Sequence, residues 1–148
     1  MNTNDDIRLE IGSVDLNQST MAKYYESRIQ AGFPSPAQDA YGDTIDLSRE
    51  LFNNPASTFC ARVIGNSMID AGIDNGDILI IDKSLTPHNG DIAVCFIDGD
   101  FTVKRITIKD DGIYLTPANK KFPELHVSPE SNFTVWGVVS YIIHRLQR

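Results

Sequence analysis

Asp91-Ile92-Ala93-Val94-Cys95-Phe96-Ile97-Asp98-Gly99-Asp100-Phe101-Thr102-Val103-Lys104-Arg105-Ile106-Thr107-Ile108 reads as two strands and the tight turn between them. A two-residue hairpin loop needs positive backbone angles, and Asp98-Gly99 is a pair that adopts them readily. The stretch predicts a strand over 91–97, entered through Asn89-Gly90, and a strand over 101–108 pairing back on it. The same signals extend outward. They predict strands at 58–64, at 77–81 after Asn75-Gly76, at 113–116 after Asp111-Gly112, and at 133–145, where Gly137 marks a bend or bulge. Asn75-Gly76-Asp77-Ile78 recurs as Asn89-Gly90-Asp91-Ile92, which reads as one turn chemistry used twice rather than as a repeat architecture. Residues 117–131, with Pro117, Pro123 and Pro129, read as loop. Many short strands with frequent turns predict a mostly β, largely antiparallel, partly closed fold.

Upstream, residues 1–44 have few regular apolar alternations and carry the cluster Gly32-Phe33-Pro34-Ser35-Pro36. Residues 21–30 are predicted to form a short helix with Tyr24, Tyr25 and Ile29 as its apolar stripe, stopped by Gly32, Pro34 and Pro36. A second short helix is predicted over 45–53, starting near Asp43 or Thr44 and ending before Pro55. The rest of this region reads as arm and loop.

A chain of 148 residues predicts one domain, and a 41% apolar share is enough for a core. No stretch approaches the roughly 20 apolar residues of a membrane helix. The polar, acidic start Met1-Asn2-Thr3-Asn4-Asp5-Asp6 does not read as a secretory signal. Cys60 and Cys95 sit in apolar runs and read as buried thiols, which makes the cytoplasm the expected compartment. A net charge of −7 is a poor match for direct DNA binding and favours protein partners.

Two residues carry the chemistry. Ser67 lies in the glycine-flanked turn Gly65-Asn66-Ser67-Met68, where a hydroxyl can be presented as a nucleophile. Lys104 lies 37 residues later in the second strand quoted above. A serine needs a partner to take its proton, and a lysine withdrawn from water is such a base. Lys104 shares its strand face with Thr102 and Ile106, while Phe101, Val103 and Arg105 occupy the other. Both faces are partly apolar, so alternation leaves two readings open: a Ser-Lys pair, or a turn serine and a solvated lysine. His88, His126 and His144 read as surface or edge residues. The backbone amides of Asn66 and Ser67 are the candidate oxyanion hole.

At these residues the chain resembles the LexA-type self-cleaving Ser-Lys peptidases, in their UmuD-like branch. The resemblance runs from about Ala31 to Arg148. It rests on Ala31-Gly32-Phe33-Pro34-Ser35-Pro36-Ala37, Gly65-Asn66-Ser67-Met68-Ile69-Asp70, Asn75-Gly76-Asp77-Ile78-Leu79-Ile80, Gly90-Asp91-Ile92, Asp98-Gly99-Asp100-Phe101-Thr102-Val103-Lys104 and Trp136-Gly137-Val138-Val139. Their order and the Ser67 to Lys104 spacing make the combination specific. Residues 1 to about 28 do not match the family's usual arm.

The resemblance implies a mostly β, LexA-like protease domain of short, strongly curved sheets with a flexible N-terminal arm. It implies Ser67 as nucleophile, Lys104 as general base, and the chain's own Ala31-Gly32 bond as substrate. Residues 1–31 would be the arm removed by cleavage, 32–44 an extended linker, and 45–148 the peptidase and dimerisation domain. The implied partners are a second copy of the chain, a RecA–single-stranded DNA filament that stimulates cleavage, and a UmuC-type polymerase subunit engaged in error-prone translesion synthesis during the SOS response. No metal or cofactor is implied. The site is physically apt: Ala31 suits a tight pocket, and Gly32 has no Cβ to keep its backbone from Ser67.

Three other readings share features with this one. A LexA-like or phage-type repressor would need a DNA-binding module, and too few residues precede Gly32 for it. A signal peptidase would need a membrane segment. A non-enzymatic dimerisation module would carry Ser67 and Lys104 as relics.

Overall fold

The structure is a computed structural model that describes residues 8–13, 21–24, 43–65, 71–116, 123–128, 130 and 132–146. Among the described residues, ten strands and one α-helix follow in chain order. They are β1 (Arg8–Ser13), β2 (Met21–Tyr24), β3 (Asp43–Asp46), α1 (Leu47–Leu51), β4 (Thr58–Ile64), β5 (Ile78–Asp82), β6 (Ile92–Ile97), β7 (Asp100–Lys109), β8 (Gly112–Thr116), β9 (Leu125–Val127) and β10 (Phe133–Ile143). The mostly β, antiparallel expectation is borne out. Eight strands form one sheet in the order β1-β4-β5-β10-β6-β7-β8-β9, and every neighbouring pair is antiparallel. The chain divides into two compact units, Met1–Val14 with Asn54–Arg148, and Asp15–Asn53.

In the first unit, strand alternation sends neighbouring residues to opposite faces of the sheet. One face buries Ala61, Val63, Leu79, Ile81, Val94 and Val103, joined by Ile73 from the segment before β5. The other buries Ala93, Cys95, Ile106 and Leu115. The 98–99 hairpin forms as expected, with φ of 48° at Asp98 and 92° at Gly99. It aligns Ala93 with Lys104 and Cys95 with Thr102.

β10 runs between β5 and β6, and the expected irregularity at Gly137 is present: the register against β6 shifts between Val135 and Gly137. A Cβ at Gly137 would come within 2.5 Å of Ile81 Cγ2, so only glycine lets β10 lie this close to β5. Asp82 closes β5. Its carboxylate accepts from Asn54 Nδ2 (2.9 Å), Ser57 Oγ (3.0 Å), Ser84 N (2.8 Å) and Ser84 Oγ (2.6 Å). Burial alone would push this carboxyl up, but the hydrogen bonds outweigh burial and hold it below its usual range.

Several expectations are corrected. In the stretch read as arm and loop, Arg8–Ser13 forms β1 and pairs with β4 from Arg8↔Ile64 to Ser13↔Phe59. Its signal was the alternation Leu9, Ile11 against Glu10, and both aliphatics pack on the core. Met21–Tyr24 is a strand rather than the start of a helix; it pairs with β3 within the second unit, and residues 25–42 lie outside the described residues. A ten-residue helix is marginal in water, whereas a paired strand satisfies its backbone at once. The second predicted helix shrinks to Leu47–Leu51. Asp46 caps it, accepting from Ser48 N at 3.0 Å and Arg49 N at 3.4 Å, while Thr44 and Ile45 belong to β3. Asp77 precedes β5 instead of starting it. Leu125–Val127, in the predicted loop, pairs with β8 as β9.

Replacing Gly137 by alanine forces the new methyl into Ile81, and overpacking of this kind costs about 1–3 kcal/mol. A denaturant titration of Gly137→Ala should show that loss.

Candidate functional site

Lys104 is buried, at 9% exposure, on the face that carries Ala93, Cys95, Ile106 and Leu115. The inward placement that alternation left open is therefore the one adopted. Its strand explains this: Lys104 sits mid-way along β7 with Ala93 opposite it on β6. Burial pushes the Cys95 thiol up to about 12, and the positive charge of Lys104 acts against that rise, so thiol and amine share one environment. Thr102, two residues before Lys104 on the same face, is 8% exposed and its Oγ1 has no hydrogen-bond partner among the described residues. Cys60 is a half-buried free thiol, also pushed up by burial.

Ser67 and Asn66 lie outside the described residues, as do Ala31 and Gly32. The chain on either side of Ser67 is described. It leaves β4 at Gly65, with φ of 121°, and is picked up again at Ala71-Gly72. Ile73 then plugs fully into the core.

What fixes these flanks is a turn that the protein builds twice. In the first copy, Gly76 has φ of 91°. Gly76 N donates to Val63 O (2.7 Å), Val63 N to Asp77 O (2.8 Å) and Asp77 N to Asp74 O (3.1 Å). Asp74 N donates to Asp77 Oδ2 (2.8 Å), Gly65 N to Asn75 Oδ1 (3.1 Å) and Arg62 Nη1 to Gly76 O (3.0 Å).

The second copy repeats every bond. Gly90 has φ of 92°. Gly90 N donates to Ile106 O (2.8 Å), Ile106 N to Asp91 O (2.8 Å) and Asp91 N to His88 O (3.1 Å). His88 N donates to Asp91 Oδ2 (2.7 Å), Ile108 N to Asn89 Oδ1 (2.7 Å) and Arg105 Nη1 to Gly90 O (2.8 Å). The sequence echo is thus one turn chemistry used twice, as expected. The echo did not reveal that each turn also locks an arginine-bearing strand. The first lock, Arg62 to Gly65, ends two residues before Ser67. The second, Arg105 to Ile108, begins one residue after Lys104.

The first turn carries an extra tie. His144, just past β10, places Nδ1 2.6 Å from Asp77 Oδ1 and 3.6 Å from Asp74 Oδ2. The Asp77 hydrogen bond, followed by the charges of Asp77 and Asp74, raises the His144 pKa above its ordinary 6.5. These three side chains could each offer a cation one ligand atom, but Asp77 is already committed to His144 and to Asp74 N. The edge reading of His144 holds for its half-exposed side chain, and the sequence did not reveal its partner. His126 stacks on Tyr114 at 4.4 Å, and His88 serves the second turn through its backbone.

Residues 23–140 match the family described as Peptidase S24-like. The chain belongs to the Peptidase S24-like family. It is 40% identical to Protein ImpA of Salmonella typhimurium over 129 residues, 87% of this chain and 88% of that one. It is 42% identical to Protein SamA of Salmonella typhimurium strain LT2 over 128 residues, 86% and 88% of the two chains. It is also 35% identical to the LexA repressor of Frankia casuarinae over 119 residues, 80% of this chain and 45% of the repressor. The resemblance to LexA-type, UmuD-like peptidases read from the sequence is thereby borne out.

Two predictions follow from the turns. Asn75→Ala and Asn89→Ala each remove an acceptor from a backbone N–H and should each lower unfolding stability by about 1 kcal/mol. A matched loss in both, measured in denaturant, is the signature of a duplicated device. The His144 tie stabilises the fold fully below the ordinary histidine value and weakens as pH rises through the raised value. An NMR titration should give His144 a midpoint above 6.5, and His144→Gln should remove the corresponding pH dependence of stability.

Proposed function

We propose that this S24-like chain is a serine peptidase that cuts its own Ala31-Gly32 bond. Ser67 is the nucleophile and Lys104 the general base. The observation that carries this reading is the burial of Lys104 on an apolar sheet face beside the Cys95 thiol. A lysine held on such a face, rather than out in solvent, is placed as a Ser-Lys pair requires of the residue that takes the serine's proton.

In the proposed reaction the Lys104 amine takes the proton from Ser67 Oγ as the oxygen attacks the Ala31 carbonyl carbon. The amides of Asn66 and Ser67 hold the negative oxygen of the tetrahedral intermediate. When the carbon–nitrogen bond breaks, Lys104 returns the proton to the Gly32 amine. Water activated by the same amine then hydrolyses the ester at Ser67. Residues 1–31 are cut from residues 32–148, with 45–148 as the peptidase and dimerisation domain.

The biological setting follows from the UmuD-like resemblance. A RecA–single-stranded DNA filament stimulates the cut, and a homodimer of the cut form serves a UmuC-type polymerase subunit in error-prone translesion synthesis during the SOS response, in the cytoplasm. Two facts support the translesion reading over a repressor fragment. The chain spans most of ImpA and SamA but less than half of the LexA repressor. Its net charge of −7 is unfavourable for binding DNA directly. Among the described residues, no helix is long and apolar enough to cross a membrane.

Incubating the purified chain at raised pH, or with activated filament, should yield, under denaturing mass spectrometry, a fragment whose mass corresponds to residues 1–31. Ser67→Ala and Lys104→Ala should each reduce the rate by at least about a hundredfold, in line with the loss of a nucleophile or its base. A cut elsewhere, or variants as fast as wild type, would refute the assignment.

A further inference from the structure

Cleavage after Ala31 severs the chain between β2 and β3, so both described strands of residues 1–31 are paired to strands on the far side of the cut. β1 pairs with β4 across six registered positions, and Leu9 and Ile11 pack against the buried core. β2 pairs with β3 from Met21↔Asp46 to Tyr24↔Asp43. Val63 turns its backbone N–H toward Asp77, on the β5 side. Alternation therefore directs the backbone groups of Cys60, Arg62 and Ile64 toward Gly12, Glu10 and Arg8. Stripping β1 away would bare that row of donors and acceptors, which is a site for adding a strand.

We propose that the cut does not by itself release the N-terminal fragment. The fragment stays bound through two strand pairings, and the edge of β4 becomes an exchangeable acceptor for an extended peptide with aliphatic residues two apart, of which Leu9-Glu10-Ile11 is the first occupant. This rests on the cleavage proposed above and adds a second, separable step to it. Two linked contacts raise retention well beyond either alone, because loss of one leaves the other holding the strand near its site. The edge is thus covered in the intact chain, covered but exchangeable after the cut, and open only once the fragment is displaced.

The test uses two nicked forms of the full chain. One is produced by self-cleavage. The other carries Ser67→Ala and an inserted recognition sequence for a specific endopeptidase between Gln30 and Ala31, so that it is cut without self-cleavage. Native mass spectrometry at micromolar protein should show fragment and body together at one to one in both. Backbone amides of Cys60, Arg62 and Ile64 should remain protected from hydrogen exchange. An excess of labelled synthetic peptide covering residues 1–31 should replace the bound fragment over time.

Glu10→Pro removes the N–H that faces Arg62 without touching the core, and Leu9→Asp with Ile11→Asp removes the packing. Each should weaken retention by at least about tenfold. A fragment that separates at once from the endopeptidase-nicked protein, with those three amides exchanging freely, would overturn the proposal. An absence of self-cleavage with retention in the endopeptidase-nicked form would overturn the cleavage reading alone.

Discussion

A backbone turn with a glycine at φ near 90° and an aspartate closing back on the residue three before it is the constraint on which the site depends. Alone, such a turn is a minor feature. Here each copy also receives an N–H from the neighbouring strand through its asparagine, and an arginine from that strand seals its glycine carbonyl. The effect is to fix the exit of β4 and the middle of β7. The first leads the chain toward the proposed nucleophile Ser67, two residues beyond Gly65, and the second carries the proposed base Lys104. The core on one sheet face holds both strands, through Ala61 and Val63 on β4 and Val103 on β7, while Lys104 is turned to the other face.

The same turn ties the site to the end of the chain. His144 reaches the buried Asp77 carboxylate, so the residue closing the first turn also holds the stretch after β10. β10 reaches that point because Gly137 lets it lie against β5. Packing at one glycine thus sets the position of a histidine seven residues later.

Much of this was legible in the sequence, for physical reasons. Asp-Gly and Asn-Gly pairs have few conformations that suit them, so the hairpin at 98–99 and the two matching turns could be read directly. The central strands are rich in β-branched residues and bounded by those turns. What the sequence hid depended on long-range pairing. Arg8–Ser13 alternates, but over too few residues to stand out, and it becomes a strand because β4 offers an edge. Residues 21–24 pattern equally well as helix or strand, and pairing with Asp43–Asp46 decides. Leu125–Val127 sits among prolines and is a strand only by virtue of β8. At the site, Lys104 and its spacing from Ser67 were visible. The thiol beside Lys104 and the arginines flanking the turns were not, since only the folded register assigns them a place.

One proposal is central: Lys104 activates Ser67, with the paired turns fixing the described chain beside each. Reaction with a serine-directed phosphonofluoridate, followed by peptide mass spectrometry, tests this without any need for self-cleavage. The account predicts one adduct per chain, on Ser67, absent in Lys104→Met and slowed by about tenfold or more in a folded Asn75→Ala/Asn89→Ala variant. Labelling of Lys104→Met at the wild-type rate, or an adduct on a different serine, would contradict it.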